Sequence, residues 1–235
     1  RNMQFCHIEG PDKRGIDCAL LYNPALFTVK NVKLVPYVQE LAKDSAFYTR
    51  GFLTVRGEMA GDDVAVIVCH WPSQFSGSFY RESGARQTKA VKDSLLRLNP
   101  EMKVFVMGDM NDDPTSKSMY EVLRAQPEIS EVGEGDMYNP WYNILAKEEK
   151  GTLYYRGKWN LFDQIVLTPN LLNKDGKKKG YRSLKYWNHQ VFRRDYLIQQ
   201  EGRYQGAPLR TKAGGKWLNG YSDHLPVVLY LVKKK

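Results

Sequence analysis

The segment Lys103–Pro114 (KVFVMGDMNDDP) joins a short apolar run to a dense group of carboxylate and amide side chains. The run from Val104 to Met107 predicts a buried strand, and Gly108 is expected to end it. The oxygen-bearing residues that follow at once are Asp109, Asn111, Asp112 and Asp113. Such oxygens at the carboxyl end of a strand suit a hard cation such as Mg²⁺. Asp and Asn also favour turns and N-caps for local reasons, so this segment alone fits a plain strand-to-helix turn equally well.

The length and composition of the chain fit one folded domain. At 235 residues, of which 42% are hydrophobic, the chain can bury a substantial core. It contains neither an internal repeat nor a linker-like stretch, so we predict a single domain over residues 1–235. No apolar run approaches the roughly 20 residues that cross a bilayer as a helix.

The charge balance is basic, with 35 Lys and Arg against 26 Asp and Glu and a formal net charge of +9. A basic surface suits a polyanionic partner, and we expect nucleic acid first and an anionic lipid surface second. A solvated basic surface is the alternative, because part of the excess lies in Lys177–Lys179 and Lys233–Lys235.

The cysteines are odd in number and show no CxxC spacing. Cys6, Cys18 and Cys69 each fall in an apolar, strand-like run. We therefore predict buried free thiols, and the spacing does not indicate a zinc site.

Strand and turn signals dominate the first third of the chain. Predicted strands cover Gln4–Ile8, Cys18–Tyr22, Val29–Val38, Gly51–Glu58 and Val64–Cys69. The following stretch, Ser83–Leu98, has apolar residues at helical spacing and predicts an amphipathic helix.

Beyond Lys103–Pro114 the pattern is mixed. We expect a short helix at Ser116–Leu123, capped by Thr115 or Ser116, and long surface loops over Glu131–Lys158. A strand is predicted at Leu161–Leu167, further loops over Ser183–Trp217 and a final buried strand at Leu225–Val232. Strands and helices in this arrangement predict a mixed α/β sandwich.

Side chains that could act in catalysis or metal binding recur where predicted strands begin or end. They are His70, Asp109 with Asn111, Asp163, and Asp223 with His224. A histidine or aspartate at the end of a strand is often only a polar edge residue or a turn former. Asp163 is different because a carboxylate among Leu, Phe, Ile and Val needs a buried partner, and a histidine is a natural one.

Four motifs carry a resemblance to a known family. They are CHWPS, GDMND, WNLFDQIVL and GYSDHLPV, at Cys69–Ser73, Gly108–Asp112, Trp159–Leu167 and Gly220–Val227. In order and spacing they resemble the endonuclease/exonuclease/phosphatase superfamily, which has the pancreatic deoxyribonuclease-like fold. The stretches EGPDKRGIDCALLY and RTKAGGKWLNGYSDHLPV are similar to its bacterial nuclease-like branch.

The resemblance implies a four-layered α/β sandwich of two mixed β-sheets flanked by helices. It also implies hydrolysis of a phosphate ester by an activated water molecule, with Mg²⁺ as the cofactor and Mn²⁺ as a second possibility. For the catalytic residues, it implies that His224 contacts the scissile phosphate or takes the proton of the water. Asp163 would orient His224, and His70 would act on the leaving side of the phosphate.

The same resemblance implies a metal site. Asp109 and Asn111 would position the attacking water and help to hold the cation, and Asp223 would be a further metal ligand. Phosphoryl transfer requires such neutralisation of charge on the phosphate oxygens, so the implied roles agree with the chemistry.

Three further residues are candidates for substrate binding. Arg14 lies where the family often places a phosphate-binding side chain, and an exposed loop charge is the alternative. Arg81 could reach a phosphate, although a salt bridge at the start of a helix is the commoner role. Trp159 could stack on a base or simply pack beside the site.

The N-terminal part of the family pattern has no match in the chain. The family's domain begins with a strand that carries an Asn and continues to a Glu that is its principal metal ligand. We therefore expect the chain to be the C-terminal majority of such a domain, without its first strands, and to hold metal weakly. An exposed sheet edge would then favour self-association or sealing by another chain.

The sequence leaves three functions open. The leading hypothesis is a Mg²⁺-dependent nuclease that hydrolyses phosphodiester bonds in nucleic acid. The second is a phosphatase or phosphodiesterase for lipid or inositol phosphates. A membrane-contacting loop would favour this function, and the candidate residues for such a loop are Met137, Tyr138, Trp141 and Tyr142. The third is a non-catalytic phosphate-binding domain.

Overall fold

A computed structural model of the chain describes residues 2–41, 47–148, 150–174 and 181–234. In chain order its strands are β1 (Gln4–His7), β2 (Ala19–Tyr22), β3 (Phe27–Val35), β4 (Phe52–Met59), β5 (Asp62–His70), β6 (Lys103–Asp109), β7 (Ala125–Gln126), β8 (Met137–Tyr138), β9 (Leu153–Tyr155), β10 (Lys158–Asn160), β11 (Asp163–Leu167), β12 (Lys185–Val191), β13 (Lys212–Ala213), β14 (Lys216–Trp217) and β15 (Val227–Val232). The α-helices are α1 (Ser78–Leu98) and α2 (Tyr142–Glu148).

A mixed seven-stranded sheet forms the centre of the structure. Its strand order is β3-β4-β5-β6-β11-β8-β7. β5 and β6 are parallel and are connected through α1, whereas β11 pairs with β6 in the antiparallel sense. The apolar runs of β5 and β6 are buried because they lie in the middle of this sheet with both faces covered.

Helix α1 covers one face of the sheet. Its Ala85, Val91 and Leu95 pack against Ile67 of β5 and Val106 of β6. The helix begins at Ser78, five residues before the predicted start, directly after Gly77 with φ of 95°. The first turn sets two adjacent aromatic residues, Phe79 and Tyr80, between Ser78 and Arg81, so the sequence shows no apolar stripe at helical spacing there.

The opposite face of the sheet packs against two small antiparallel sheets, β1-β2 and β12-β15. Cys6 and Leu20 come from the first, and Tyr186 and Leu229 from the second; all four belong to one core with strands β3 to β6. The mixed α/β sandwich is therefore confirmed. The last strand is half-buried rather than buried, because β12 is the ladder partner of β15 and leaves part of its surface exposed.

Two of the loop predictions are wrong. The stretch Glu131–Lys158 contains β8, α2 and β9, and the indole of Trp141 is fully buried with Ile144 and Leu161. Met137, Tyr138 and Trp141 are all buried, so these aromatic and apolar residues fill the core and do not form a membrane-contacting loop. Ser183–Trp217 likewise contains the seven-residue strand β12, whose mixture of polar and aromatic residues (KYWNHQV) concealed it.

Local corrections apply around the motif GDMND. Gly108 does not end its strand: β6 continues to Asp109. With φ of 134°, a Cβ at Gly108 would lie 1.9 Å from the carbonyl oxygen of Cys69, so only glycine fits. The short helix is a π-helical turn, Ser118–Val122, preceded by Lys117 and without a side-chain cap, so neither Thr115 nor Ser116 caps it.

Two further sequence expectations can be compared with the structure. Cys6, Cys18 and Cys69 are free thiols; Cys6 and Cys69 are buried as predicted, whereas Cys18 is half-buried. Within the described ranges, no helix has the length and apolar character needed to cross a membrane. Lys177–Lys179, which carry part of the basic excess, lie outside the described residues.

Candidate active site

The strand register brings three of the predicted site residues into one row. His70, the last residue of β5, is opposite Asp109, the last residue of β6, in the parallel ladder. Asp109 is opposite Asp163, the first residue of β11, in the antiparallel ladder. Alternate residues of a strand face opposite ways, and Ile67 and Val106 face α1. The three polar side chains therefore point to the face covered by β1-β2 and β12-β15.

His224 reaches the same row from a different part of the chain. An isolated bridge joins it to Leu153, and the Leu225 N–H donates to the Thr152 carbonyl at 2.8 Å. The Nδ1 atom of His224 lies 2.7 Å from Oδ2 of Asp163. The half-buried carboxylate therefore has the histidine partner that its apolar neighbours in the sequence predicted.

The two histidines of the site have pKa values that move in opposite directions. Burial lowers the pKa of His70 to about 4, and the positive charges of Arg50 and Arg14 act in the same direction. Burial also disfavours the charged form of His224, but the hydrogen bond and charge of Asp163 outweigh it and raise its pKa to about 9. At neutral pH His224 is an imidazolium and His70 is a neutral imidazole.

Asp109 lies between the two histidines. Its Oδ2 atom is 3.6 Å from Nε2 of His70, and its Oδ1 atom accepts the Asn111 backbone N–H at 2.8 Å. Burial and the nearby charge of Asp163 raise the pKa of Asp109 to about 6. The site therefore concentrates two carboxylates and one imidazolium at one end of the central strands β5, β6 and β11.

Asn111 is held in a left-handed conformation, with φ of 49°. Its Nδ2 donates to the carbonyl of Trp71 at 2.8 Å, which orients the amide so that its oxygen is the atom available to a ligand. A non-glycine residue with positive φ stores backbone strain, and asparagine tolerates it better than most. The strain is consistent with a positioning role for this side chain.

A buried pair, Arg50 and Asp12, supports the site and was not identified from the sequence. Arg50 donates to Asp12 Oδ2 at 3.0 Å and to the same Trp71 carbonyl at 3.1 Å. Asp12 also binds the predicted substrate ligand Arg14, whose side chain is 63% exposed. Arg50 stands in no motif before β4, so only the tertiary contact reveals it.

The other oxygen-bearing residues of the opening segment hold the turn. Asp112 accepts the hydroxyl groups of Ser116 and Ser118 at 3.0 and 2.7 Å. Asp113 accepts the Leu161 N–H at 2.7 Å. The turn interpretation therefore applies to Asp112 and Asp113, whereas Asp109 and Asn111 belong to the candidate site.

Two predicted substrate ligands lie outside the row. Arg81 is buried and pairs with Asp112 at 3.0 Å, which is the helix-start ion pair that the sequence allowed as its alternative. Trp159 packs edge-on against Tyr154, with ring centroids 5.2 Å apart, and Arg193 lies over its ring at 5.7 Å. Trp159 therefore lines a neighbouring cleft rather than the row itself.

Asp109, Asn111 and Asp223 are the oxygen-bearing residues that the sequence assigned to a metal ion. Among the described residues, no group of three or more His, Cys, Asp or Glu side chains is arranged to hold one. Asp109 and Asn111 nevertheless offer a carboxylate and an amide oxygen, and Asp223 is an exposed carboxylate beside His224. Mg²⁺ is commonly held by one or two carboxylates while water and substrate oxygens complete its shell, so the residues fit such an ion.

Comparison with known proteins identifies the family of this arrangement. The sequence model of the Endonuclease/Exonuclease/phosphatase family matches residues 1–233. No curated protein matches the chain at a significant level.

Solved structures share the fold at low sequence identity. D. rerio TDP2 complexed with single strand DNA product is 14% identical, with a TM-score of 0.56 over 97% of this chain and 77% of that one. A mannosyl-6-phosphatase from Bacteroides thetaiotaomicron is 15% identical, with a TM-score of 0.55 over 97% and 77%. The human Nocturnin catalytic domain is 13% identical, with a TM-score of 0.53 over 78% of this chain, which spans only 63% of that domain.

Proposed function

Because the chain belongs to the endonuclease/exonuclease/phosphatase family, whose fold serves phosphodiesterases and phosphatases, we propose that it hydrolyses phosphodiester bonds in nucleic acid with an activated water molecule. The observation that supports this proposal most is the arrangement of His70, Asp109, Asp163 and His224 at one end of the central strands of the sheet. The net charge of +9 supports a polyanionic substrate.

The opposite charge states of the histidines suggest their roles. The His224 imidazolium would contact a non-bridging oxygen of the phosphate and stabilise the charge that develops there. Asp163 holds the imidazole orientation and favours its charged form. Neutral His70 lies on the other side of Asp109 from His224, and its N–H would donate a hydrogen bond to the leaving oxygen.

Asp109 and Asn111 would position the attacking water between the two histidines. The row crosses two strand spacings, roughly 10 Å, which leaves room for a phosphate group and a water molecule. Asp109 would accept a hydrogen bond from the water and orient it toward the phosphorus.

We further propose that Mg²⁺, or Mn²⁺ in its place, is required. Asp109 and Asn111 would hold the ion, with Asp223 as an additional ligand from the neighbouring turn. When bound, the ion would neutralise phosphate oxygens and lower the pKa of a bound water molecule.

The experiment is a substrate panel with matched metal conditions. The protein is incubated with plasmid DNA, RNA, an abasic duplex and inositol phosphates, in Mg²⁺, in Mn²⁺ and in EDTA. We expect cleavage of nucleic acid that EDTA abolishes. Cleavage of inositol phosphates alone would favour the second function, and binding without turnover of any substrate would favour the non-catalytic one.

Two variants test the assignment of the residues. His224→Ala and Asp109→Ala should each lower kcat by several orders of magnitude, about 10³-fold or more, because they remove groups that act mainly in the transition state. Asp113→Ala is the matched control, because Asp113 contacts the Leu161 backbone instead of facing the row. Near-normal turnover in either test variant would refute the assignment.

A further inference from the structure

A cleft of about 830 Å³ opens beside the candidate active site and carries an unusual set of side chains. We propose that it binds a single-stranded segment of nucleic acid next to the scissile bond. This inference rests on the proposed function, because it names the form of the substrate that the same site would accept. Its evidence comes from the residues that line the cleft and from their connection to His224.

The lining of the cleft is cationic and aromatic. Its charged residues are Arg156, Arg203 and Arg210, and none of the described residues that line it is an Asp or a Glu. Within the described ranges, none of the three arginines forms an ion pair with a carboxylate. Its rings are those of Tyr154, Tyr155 and Tyr204. Unpaired guanidinium groups without opposing acid indicate an anionic ligand.

The arginines and tyrosines are organised as stacked pairs. The guanidinium of Arg156 lies 5.3 Å from the ring centroid of Tyr155, and that of Arg203 lies 5.6 Å from that of Tyr204. The two tyrosines remain 45% and 50% exposed. Each pair therefore offers a flat aromatic surface with a positive charge at its side, the combination that binds a base together with its phosphate.

A strained turn places one of these arginines. Arg156 and Gly157 are the two residues between β9 and β10, with φ of 50° and 82°. Positive φ at both positions is the geometry of a tight hairpin turn in which Asn or Gly normally stands first. An arginine at this position carries a conformational cost, and such costs are typical of functional sites.

The cleft is connected to the catalytic row through backbone contacts. Tyr154 follows Leu153, which forms the bridge with His224. On the other wall, the Gly220 N–H donates to the Arg210 carbonyl at 3.2 Å, four residues before His224. A strand of substrate whose phosphate lies at His224 would therefore pass directly into the cleft.

A second, smaller cleft continues the same surface. It has a volume of about 500 Å³, shares Tyr154 and Ala207 with the first, and adds Trp159 and Arg193. Arg193 lies over the Trp159 ring, so the pattern of an arginine beside an aromatic ring is repeated. Repetition along a groove is suited to successive nucleotides of one strand.

The chemistry favours a single strand over other anions. Unpaired bases can stack on exposed rings, whereas a duplex hides the faces of its bases and presents only phosphates. Inositol phosphates supply anionic groups but no aromatic face. The tyrosines would therefore contribute to binding only when the ligand is a single strand.

The test measures binding of labelled oligonucleotides by fluorescence anisotropy in EDTA, which prevents cleavage. The test variants are Arg156→Ala with Arg203→Ala, and separately Tyr204→Ala. The matched control is Arg97→Ala with Arg182→Ala. It removes the same charge at two exposed positions, one in the last turn of α1 and one before β12, that line neither cleft.

We expect each test variant to weaken binding of a 12-nucleotide single strand about tenfold or more, and the control to change it less than twofold. The slope of log K against log salt should fall in magnitude by about 1.4 in the double arginine variant, because two phosphate contacts are lost. Tyr204→Phe, which keeps the ring, should restore binding. Equal loss in test and control variants would overturn the proposal, as would duplex binding as tight as single-strand binding.

A parallel assay separates this inference from the proposed function. Hydrolysis of bis(4-nitrophenyl) phosphate reports on the catalytic row alone and should be unchanged in the cleft variants. If no variant or native protein hydrolyses any ester, the proposed function fails while the binding result still decides the cleft. If inositol hexakisphosphate displaces the oligonucleotide and Tyr204→Ala has no effect, the cleft is a general anion site and the proposal fails.

Discussion

The hydrogen bond between His224 and Asp163 sets the charge state of one side of the candidate site. Burial disfavours the charged form of His224, but this 2.7 Å hydrogen bond and the charge of Asp163 outweigh burial and raise the pKa of His224 to about 9. His70, two strands away, is neutral because burial lowers its pKa, the charges of Arg50 and Arg14 act in the same direction, and no such hydrogen bond to a carboxylate opposes them. Environments that separate the pKa values of two like residues assign them to different roles in a reaction.

Asp163→Asn tests this contact. The amide cannot supply the negative charge, so the pKa of His224 should fall from about 9 toward or below its ordinary value of 6.5, because burial then dominates. We expect kcat at pH 8 to fall by about 10²-fold to 10⁴-fold and the melting temperature to change little. Imidazole NMR titration and a pH–rate profile measure the effect.

Asp223→Asn is the control for this prediction, since Asp223 influences the pKa of His224 only through its charge. Its effect on the titration should be the smaller of the two. An unchanged pKa for His224 in Asp163→Asn would contradict the assignment.

The ion pair between Asp12 and Arg50 ties the loop between β1 and β2 to the strand β4. Both side chains are about 95% buried, and Arg14 completes the pairing from the surface. The hydrogen bond from Arg14 is the largest of the effects that hold the pKa of Asp12 below its usual range, and Arg50 contributes in the same direction.

A pH dependence follows from the depressed pKa of Asp12. Its stabilising contribution is present above the unfolded pKa of about 3.9 and is lost as the pH falls through the lower folded value. Asp12→Asn should therefore lower stability at pH 7 by about 3 kcal/mol, because Arg50 loses its buried counter-charge. The deficit should shrink below pH 4, which thermal melts at pH 7 and pH 3 can measure.

Arg14→Ala removes the exposed partner of Asp12 and leaves the buried pair with Arg50 in place. Its exposed side chain should contribute less than about 1 kcal/mol. A deficit in Asp12→Asn that is equal at both pH values would show that the shifted pKa does not contribute to stability.

At the scale of elements, the hairpin β9–β10 combines strain with a surface position. Arg156 adopts positive φ at the tip, where the side chain stacks on Tyr155 and faces the cleft. Function and stability are therefore expected to oppose each other at this residue.

Arg156→Asn tests this opposition. Asparagine tolerates the left-handed conformation, so the variant should be more stable by about 0.5–1 kcal/mol after the lost stacking is subtracted. It should also bind single-stranded oligonucleotides more weakly. Urea unfolding and anisotropy measure the two effects, and Lys158→Asn on the same hairpin should show no gain in stability.

At the scale of the whole molecule, the excess of positive charge complements the local arginines of the cleft. A net charge of +9 attracts a polyanion over distances longer than any contact, but salt screens this attraction within about 10 Å at 0.1 M. Small diesters carry one charge and gain little from the field.

Salt should therefore separate large from small substrates. Between 50 and 200 mM KCl, we expect kcat/KM for an oligonucleotide to fall at least tenfold, and that for bis(4-nitrophenyl) phosphate to change less than about twofold. Equal salt dependence for both substrates would show that the charge does not act on the substrate.

The sequence by itself determined the class of fold and the identity of most row residues. Apolar runs with a polar residue at one end predicted β5, β6 and β11, and motif order placed His70, Asp109, Asp163 and His224 in one family pattern. The single-domain organisation stays a prediction. Periodicity and motifs are local properties, so they are readable without knowledge of long-range contacts.

Tertiary structure alone decided which of these residues meet and in what state. The β5–β6–β11 register forms the row, and the approach of His224 to Asp163 sets its charge. Arg50 and the cleft around Tyr204 carried no signal of their own. Their roles arise from burial and from neighbours distant in sequence, because the pKa of a group depends on the charges and solvent that surround it in space.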